Sequence, residues 1–372
     1  MAGLNMRTLT HQELLDLVDG AAIFSAGGGG DPEVGHEIVD RLTSSGYTAR
    51  MVAPSEVPDI AKVVNFACVG ATTSLEYDSD AAVKALKILE EHVGFSAFAT
   101  ISVELGGFNT LVAVDVAARH GIPVVDADGA GRSVPEVHLK VYTIDGIPLT
   151  PMVVTDVHAK NVVVVRETAN AKAAERIARV LAAEWNHSAY TARRILTGAQ
   201  VKTSPIQLSL SRSIRVGEAL RKAAMPLEAV LKETGGFKLF EGIADDVSQR
   251  TEEGFTFINA RLRGTGEYSK STVRFAAKNE VLVAYRDEKL AAIAPDIITP
   301  VDPEKGKCIT AEKIKQGDKL AIIVLPAPQK WRTSKGLEMW RDVLQRAGIA
   351  EEYVPAEKLA ARRKGCPSPM LM

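Results

Sequence analysis

The sequence predicts two domains: an α/β domain over residues 1–165, with a parallel sheet between two helical layers, and a mainly β, barrel-like domain with flanking helices over residues 166–372. In the first half, three apolar, β-branched segments alternate with helical segments, which is the pattern of β-α-β units. In the second half, short apolar segments are separated by Gly, Asn, Asp and Pro, which is typical of a barrel or sandwich. A length of 372 residues fits two domains of ordinary size.

Composition and charge restrict the class of function. Hydrophobic residues make up 46% and charged residues 24% of the chain, as in soluble globular proteins. The chain has 45 Lys and Arg residues and 46 Asp and Glu residues. The resulting formal charge of -1 gives no global attraction to nucleic acid or to a membrane surface. Three irregularly spaced cysteines fit neither a disulfide framework nor a zinc site, and no secretory signal or membrane span is evident. We expect a cytoplasmic homo-oligomer that acts on a small molecule.

The first two helices are marked by capping signals. Thr10 and Glu13 have the spacing of a capping box. Asp31 as N-cap and Pro32 as the first helical residue predict a second helix. Residues 27–30 before it are four glycines, whose backbone N–H groups could bind an anion or a polarised oxygen. The dinucleotide and P-loop patterns are absent, and a flexible hinge is the alternative interpretation.

Three strand–loop–helix units follow. The predicted strands are residues 63–69, 95–103 and 122–125, and the predicted helices are residues 78–92 and 110–120. In a parallel sheet, every loop from a strand to the next helix lies at the carboxyl edge, where ligands bind. The loops at 70–77, 104–109 and 126–136 are therefore expected to converge on one rim.

The segment from Val124 to Glu136 ends the third strand with two carboxylates, two glycines, an arginine and a further carboxylate. Asp126 and Asp128 are two residues apart, so a continuing strand would point both side chains to one face. Close carboxylates titrate as a pair and can provide a general base together with a general acid. The alternative is an ordinary strand end in which Asp128-Gly129 forms a turn.

After residue 153 the pattern changes towards short strands. Residues 171–185 predict an amphipathic helix, and residues 216–224 and 227–233 predict shorter ones. A last helix over residues 331–347 could pack back on the first domain, and residues 358–372 are expected to be a frayed tail. The predicted strands are residues 162–165, 237–247, 255–263, 268–277, 281–286, 289–294 and 319–325.

Six motifs follow one another in an informative order. They are Gly-Gly-Gly-Gly-Asp-Pro (27–32), Glu-x-Gly-Gly-x-Asn (104–109), Pro-Val-Val-Asp-Ala-Asp-Gly-x-Gly-Arg-x-x-Pro-Glu (123–136), Asn-Glu-x-Leu-Val-Ala (279–284), Pro-Asp-x-Ile (295–298) and Trp-Arg-Thr (331–333). This order resembles the S-methyl thiohydantoin desulfurase family, over about residues 8–355. The resemblance implies an α/β and a mainly β domain, and hydrolytic removal of methanethiol from an S-methyl thiohydantoin to give a hydantoin. Because genes of the family often lie beside hydantoinase or oxoprolinase genes, it also points to a partner of that kind.

That chemistry needs a base that activates water and an acid for the ring or the leaving thiolate. The predicted catalytic residues are Asp126, Asp128 and Glu104. Arg132 is expected to bind a carboxylate or developing negative charge, or else to form a structural ion pair with Glu136 or Asp128. The predicted substrate-binding residues are Gly28, Gly29, Gly30, Asp31, Gly106, Gly107, Asn109, Gly129, Arg132 and Glu136.

Other side chains have two interpretations. Cys68 ends a strand on the same rim, where it could be a nucleophile or a small buried residue. Asn279-Glu280 could approach the rim from the β domain or form an ordinary turn. No cofactor is expected; a divalent ion at Asp156, His158 and His138 is the alternative, although no His-x-x-x-His pair is present. The alternative function is a non-catalytic binding or accessory protein of a hydantoinase or oxoprolinase system.

Overall fold

The computed structural model describes residues 6–70, 77–186, 188–252 and 254–363. Most of the predicted loop at 70–77 and the end of the predicted tail lie outside these ranges. The helices are α1 (His11–Ile23), α2 (Pro32–Ser44), α3 (Ser79–Val93), α4 (Asn109–His120), α5 (Val141–Ile144), α6 (Ala171–Glu184), α7 (Gly198–Val201), α8 (Ser209–Lys222), α9 (Pro226–Thr234), α10 (Ser334–Arg346) and α11 (Ala356–Arg363). The strands are β1 (Arg7–Thr8), β2 (Arg50–Val52), β3 (Lys62–Gly70), β4 (Ala99–Ser102), β5 (Val124–Asp128), β6 (Met152–Thr155), β7 (Val162–Val165), β8 (Ser188–Thr197), β9 (Ile206–Gln207), β10 (Phe237–Glu252), β11 (Phe255–Gly264), β12 (Thr272–Lys278), β13 (Glu280–Arg286), β14 (Lys289–Ile293), β15 (Ile297–Val301) and β16 (Lys319–Leu325).

Local capping signals begin the first two helices at the predicted residues. The Thr10 hydroxyl accepts the amide of Glu13, whose side chain accepts the amide of Thr10, so the predicted capping box is present. The Asp31 carboxylate accepts the amide of Glu33, and Pro32 is the first residue of α2. These contacts satisfy N–H groups that a helix start would otherwise leave unpaired.

The first sheet has the strand order β1-β2-β5-β4-β3-β8-β6-β7, with β9 beside β5. Its centre, β2, β5, β4 and β3, is parallel, which confirms the predicted α/β fold. The sheet is mixed because β8, β6 and β7 continue it antiparallel. The strand β8 was not predicted, since Arg193 and Arg194 interrupt its apolar pattern although both are buried. It belongs to the first sheet although it follows residue 165 in the chain.

Helices cover both faces of the first sheet. Leu17, Leu86 and Val112 belong to the core on the face covered by α1 to α4. On the other face, Val125 and Trp340 belong to one core, so α10 packs against the first sheet.

The second sheet is antiparallel throughout, in the order β14-β13-β12-β11-β10-β16-β15. The ends, β14 and β15, are not paired with each other, so the sheet is a curled half-barrel around its own core, which includes Phe240, Phe275 and Leu320. The predicted mainly β, barrel-like domain is confirmed. None of the helices in the described ranges is long and apolar enough to cross a membrane.

Candidate active site

A small, partly open cavity of about 40 Å³ lies at the carboxyl ends of β3 and β4. It is bordered by loops of the first sheet and by the turn between β12 and β13 of the second. Its polar lining consists of Cys68, Glu104, Asn109, Lys140, Arg179, Arg193, Asn279 and Glu280, together with Gly29 and Gly30. Of the residues predicted for the site, Glu104, Asn109, Gly29 and Gly30 therefore meet here.

Glu104 is held in place by three donors. Its Oε1 accepts from Nδ2 of Asn109 at 2.8 Å, and its Oε2 accepts from Nζ of Lys140 at 3.0 Å and from the amide of Val134 at 3.3 Å. Oδ1 of Asn109 in turn accepts from the amide of Cys68 at 3.2 Å. Burial lowers the pKa of Lys140, against the attraction of the Glu104 charge. The buried Glu104–Lys140 pair thus fixes the orientation of the Asn109 amide at the cavity wall.

Glu280, the first residue of β13, presents a free carboxylate oxygen. Its Oε1 accepts from the hydroxyl of Ser133 at 2.6 Å, and its buried Oε2 has no hydrogen-bond partner among the described residues. Burial and the negative charge of Glu104 raise the pKa of Glu280 to about 7, against the effects of Ser133, Arg132 and Lys140. Near neutral pH the group exists in both protonation states, as a general base or acid requires.

The turn before β13 places Glu280 in the cavity. Asn279 has a φ of 61°, and its amide and Oδ1 bond to Thr256 at 2.7 and 2.8 Å. The amide of Val281 donates to the carbonyl of Ala26 in the first domain at 2.8 Å. A Cβ at Gly28 would lie 2.2 Å from Oε1 of Glu280, so the carboxyl group packs directly on glycine backbone. The Asn-Glu pair of the fourth motif was the sequence signal for this position.

Positive charge exceeds negative charge around the cavity. Arg193 donates to the Thr191 hydroxyl at 2.7 Å, while its buried Nε has no partner in the described chain. Burial lowers the pKa of Arg193 to about 10, which leaves it protonated at neutral pH. Arg179 binds Glu175 at 3.0 Å and separates the cavity from an adjoining cleft of about 640 Å³. Such a lining favours a ligand or a transition state that carries negative charge.

The two glycine loops approach each other by their backbones. A Cβ at Gly29 would lie 2.7 Å from Cα of Gly106, and one at Gly107 would lie 2.8 Å from Cα of Pro32. The carbonyl of Gly29 accepts the amide of Asn109 at 3.1 Å. The N–H groups of Gly29 and Gly30 donate to no other described residue. The glycines therefore serve loop packing, and Gly29 and Gly30 also line the cavity.

Asp126 and Asp128 do not line the cavity. Asp126 accepts from the amide and hydroxyl of Ser211, at 2.9 and 2.5 Å, in the first turn of α8. Asp128 accepts from the amides of Ala130 and Gly131 at 2.8 and 2.6 Å, in the turn that was the alternative interpretation. The pairing of β5 with β4 is irregular at these residues, so simple alternation does not describe their directions. The two carboxylates have separate partners, and these contacts do not support a shared proton.

Arg132, Glu136, Asp31 and Gly129 have structural contacts outside the cavity lining. Arg132 donates to the carbonyls of Pro295 and Asp296 at 2.7 and 3.0 Å. Its positive charge acts to lower the pKa of Glu280. Glu136 lines the adjoining cleft and accepts from both terminal nitrogens of Arg346 at 2.8 Å, so neither predicted ion pair of Arg132 is formed. The Asp31 carboxylate lies 2.6 Å from Nζ of Lys313. A Cβ at Gly129 would lie 2.6 Å from the Tyr142 ring.

Comparison with known proteins covers both halves of the chain. The family model described as S-Me-THD-like, N-terminal domain, matches residues 12–166, and the model of the S-Me-THD-like C-terminal domain matches residues 169–344. The chain belongs to the S-Me-THD-like family. The predicted resemblance to S-methyl thiohydantoin desulfurases is thereby confirmed.

A crystal structure of a protein from Chromobacterium violaceum is similar to this S-Me-THD-like chain. It is 24% identical, covers 94% of this chain and 100% of its own, and has a TM-score of 0.78. At that identity the likeness shows the fold alone. No curated protein matches the chain.

The S-Me-THD-like motifs divide between the cavity and its support. Residues from the first four motifs line the cavity, the third through Val134 and Pro135. The last two motifs join the domains: Arg332 donates to the Asp296 carboxylate at 2.8 Å, and the Trp331 indole N–H donates to the carbonyl of Ala130 at 2.7 Å.

The two alternative chemistries considered for this S-Me-THD-like site were a cysteine nucleophile and a metal. Cys68 lines the cavity, but burial raises the pKa of its thiol to about 11, so it is protonated at neutral pH. His158 lies 3.5 Å from Asp78, whereas His138 lies 3.5 Å from Glu136 and from Glu175. The described residues contain no group of three or more His, Cys, Asp or Glu that could hold a metal ion.

Proposed function

We propose that this S-Me-THD-like protein is a hydrolase that removes methanethiol from an S-methyl thiohydantoin and leaves the hydantoin. The observation that carries the proposal is Glu280, a buried carboxyl group with a free oxygen and a pKa of about 7 in a polar cavity. The family name supplies the class of substrate.

In the proposed reaction, water adds to the ring carbon that carries the methylthio group. Glu280 accepts one proton of the water while a C–O bond forms, and passes that proton to the adjacent ring nitrogen as the C=N bond becomes a single bond. The C–S bond then breaks while Glu280 takes the proton of the remaining hydroxyl, which becomes the C=O group, and gives this proton to the departing thiolate, which leaves as methanethiol. One water is consumed, since its oxygen stays on the ring carbon, one of its protons is on the ring nitrogen and the other is on methanethiol, so Glu280 ends in its starting state.

The other cavity groups would hold the ring and stabilise charge. Asn109, oriented by Glu104, can donate to or accept from a ring amide. Lys140, Arg193 and the free amides of Gly29 and Gly30 would stabilise negative charge on the intermediate or on the departing sulfur.

The size of the cavity defines how substrate would enter. A volume of about 40 Å³ accommodates water, whereas a cavity that holds benzene measures about 150 Å³. The ring must therefore displace part of the wall. Arg179, which lines both the cavity and the adjoining cleft, is the side chain whose movement would join them.

The experiment is to incubate the protein with a panel of S-methyl thiohydantoins and hydantoins and to follow thiol release. We expect release by the wild type and by Asp128→Asn, a buried carboxyl outside the cavity, but a loss of ~100-fold or more in Glu280→Gln. Binding of these compounds without thiol release by the wild type would favour the accessory-protein alternative. Loss of activity in Asp128→Asn alone, with its fold intact, would return the catalytic role to the acids of β5.

A further inference from the structure

The edge strands of the two sheets differ in how well they are shielded from pairing with other strands. Soluble proteins normally shield edge strands, because unpaired N–H and C=O groups recruit other strands. β1 and β9 have only two residues each. β14 is packed against α11, and β15 contains Pro300, whose carbonyl accepts the amide of Ile309 at 2.9 Å. These four edges are short or shielded.

The remaining edge, β7, has no such shield among the described residues. Its residues are four consecutive valines, Val162–Val165, without a charge or a proline, and it pairs with β6 alone. The amide of Asp156 donates to the carbonyl of Asn161 at 3.2 Å. Since hydrogen-bonded and non-bonded residue pairs alternate along an antiparallel hairpin, this bond shows which backbone groups of β7 face β6. By that alternation, Val163 and Val165 bond to β6, whereas the N–H and C=O groups of Val162 and Val164 point outwards.

We propose that β7 pairs antiparallel with β7 of a second copy of this chain, so that the first sheets of two copies form one continuous sheet. Antiparallel pairing of a strand with itself has the two-fold symmetry of most protein dimers. The apolar surface continues beside the strand, since Ile177 is 37% exposed one turn before Leu181, which packs in the same core as Val163 and Val165.

The residues that would face each other determine the pairing register of the two β7 strands. A two-fold axis at Val163 would place Lys160 opposite Arg166, and like charges directly opposite each other are destabilising. An axis at Val164 places Val162 opposite Arg166 and Asn161 opposite Glu167, with no like pair. An axis at Val165 also avoids like charges, but it sets Val164 opposite Arg166, whereas the axis at Val164 pairs Val163 with Val165 and Val164 with itself. We therefore place the axis at Val164, where the outward backbone groups of the two copies bond to each other.

Sedimentation measurements on the full chain test this. The wild type is expected at twice the 39.9 kDa of one chain. Val164→Lys brings two cations together at the axis, and Val164→Pro removes an outward N–H without touching a bond to β6. Each should weaken the dimer ~10-fold or more. Ile60→Lys, which adds the same charge at a residue 87% exposed, is the matched control and should leave the dimer intact.

A wild type that stays monomeric at high concentration overturns the proposal. So does a dimer that persists in both folded Val164 variants, since it would use another surface. If those variants do not fold, Val164→Cys decides: oxidation should link two copies through this position, while the wild type with its own cysteines should not be linked. A dimer without that link contradicts the proposed register.

Discussion

The ionisation of Glu280 connects the proposed chemistry with stability. Burial and the Glu104 charge raise the pKa of Glu280 above its ordinary value of 4.5, to about 7. Folding therefore favours the protonated form. The corresponding contribution to the free energy of unfolding is fully present below pH 4.5 and is lost as the pH rises through about 7. The stability lost at higher pH accompanies the ionised carboxylate that would accept a proton from water.

Glu280→Gln is expected to raise the melting temperature above pH 7, where the wild type must bury a charge. Below pH 4.5 the difference should shrink, because Gln resembles a protonated Glu in shape. Thermal unfolding of both proteins at the two pH values measures this. In parallel, the activity of the wild type should rise with pH through about 7. An equal stabilisation at both pH values would contradict the assigned pKa.

Gly28 and Gly29 are adjacent but should respond differently to alanine. At Gly28 the nearest atoms to the new Cβ all belong to the Glu280 side chain, so Gly28→Ala should displace the carboxyl group and reduce activity with a small change in stability. At Gly29 it would meet the backbone of Gly106, at a φ of 68°. Gly29→Ala should therefore cost about 1–3 kcal/mol of unfolding free energy. Denaturant unfolding and thiol release distinguish the two; equal stability of both variants would contradict this assignment.

At the scale of elements, Asp126 belongs to α8 rather than to the chemistry. Its carboxylate accepts an amide and a hydroxyl from Ser211, in the first turn of that helix, and so acts as a cap supplied by β5. The same residue is an attractive catalytic candidate from sequence alone, because the contact with Ser211 spans 85 positions.

Asp126→Asn is expected to lower the unfolding free energy by about 0.5–2 kcal/mol, the usual loss for a helix cap, while activity stays near that of the wild type. Ser211→Ala, which removes the hydroxyl donor alone, should lower the unfolding free energy by a smaller amount. Combining the two substitutions should cost less than the sum of the single changes, since they share one interaction. Abolished turnover at unchanged stability would restore a catalytic role for Asp126.

Helices and central strands could be predicted because their signals are local. The capping box at Thr10, Pro32 after Asp31, and the β-branched segments that become β3 and β5 act within a few residues. The directions of the Asp126 and Asp128 side chains could not be predicted, because they depend on an irregular strand pairing and on contacts with α8. The strand β8 could not be predicted either, because Arg193 and Arg194 interrupt its apolar pattern although both are buried.

For the whole molecule, the site exists only when the two sheets are docked. Ser133, in the loop after β5, bonds at 2.6 Å to Glu280, which lies 147 positions away at the start of β13 in the second sheet. Arg132, Trp331 and Arg332 hold the docking contacts together. The sequence could therefore predict the rim that carries Glu104 and Asn109, but not the acid that the second sheet brings to it.

Glu136 provides a test of this docking, because it lies in the first domain and binds Lys278 of β12 and Arg346 of α10. Burial alone would raise the pKa of Glu136, but the hydrogen bond from Arg346 and the charge of Lys278 bring it below its ordinary value of 4.5. A lowered carboxylate pKa contributes stability that is present above pH 4.5 and lost as the pH falls through the folded pKa.

Arg346→Met should therefore lower the melting temperature at neutral pH, and the difference from the wild type should shrink in acid, where Glu136 is protonated in both proteins. Arg341→Met is the matched control on the same helix. Its partner Glu352 lies 3.2 Å away with both side chains more than half exposed, so its loss should have little effect at either pH. Thermal unfolding of the three proteins across this pH range measures the difference. If Arg346→Met and Arg341→Met behave alike, the Glu136–Arg346 pair does not hold α10 on the first domain.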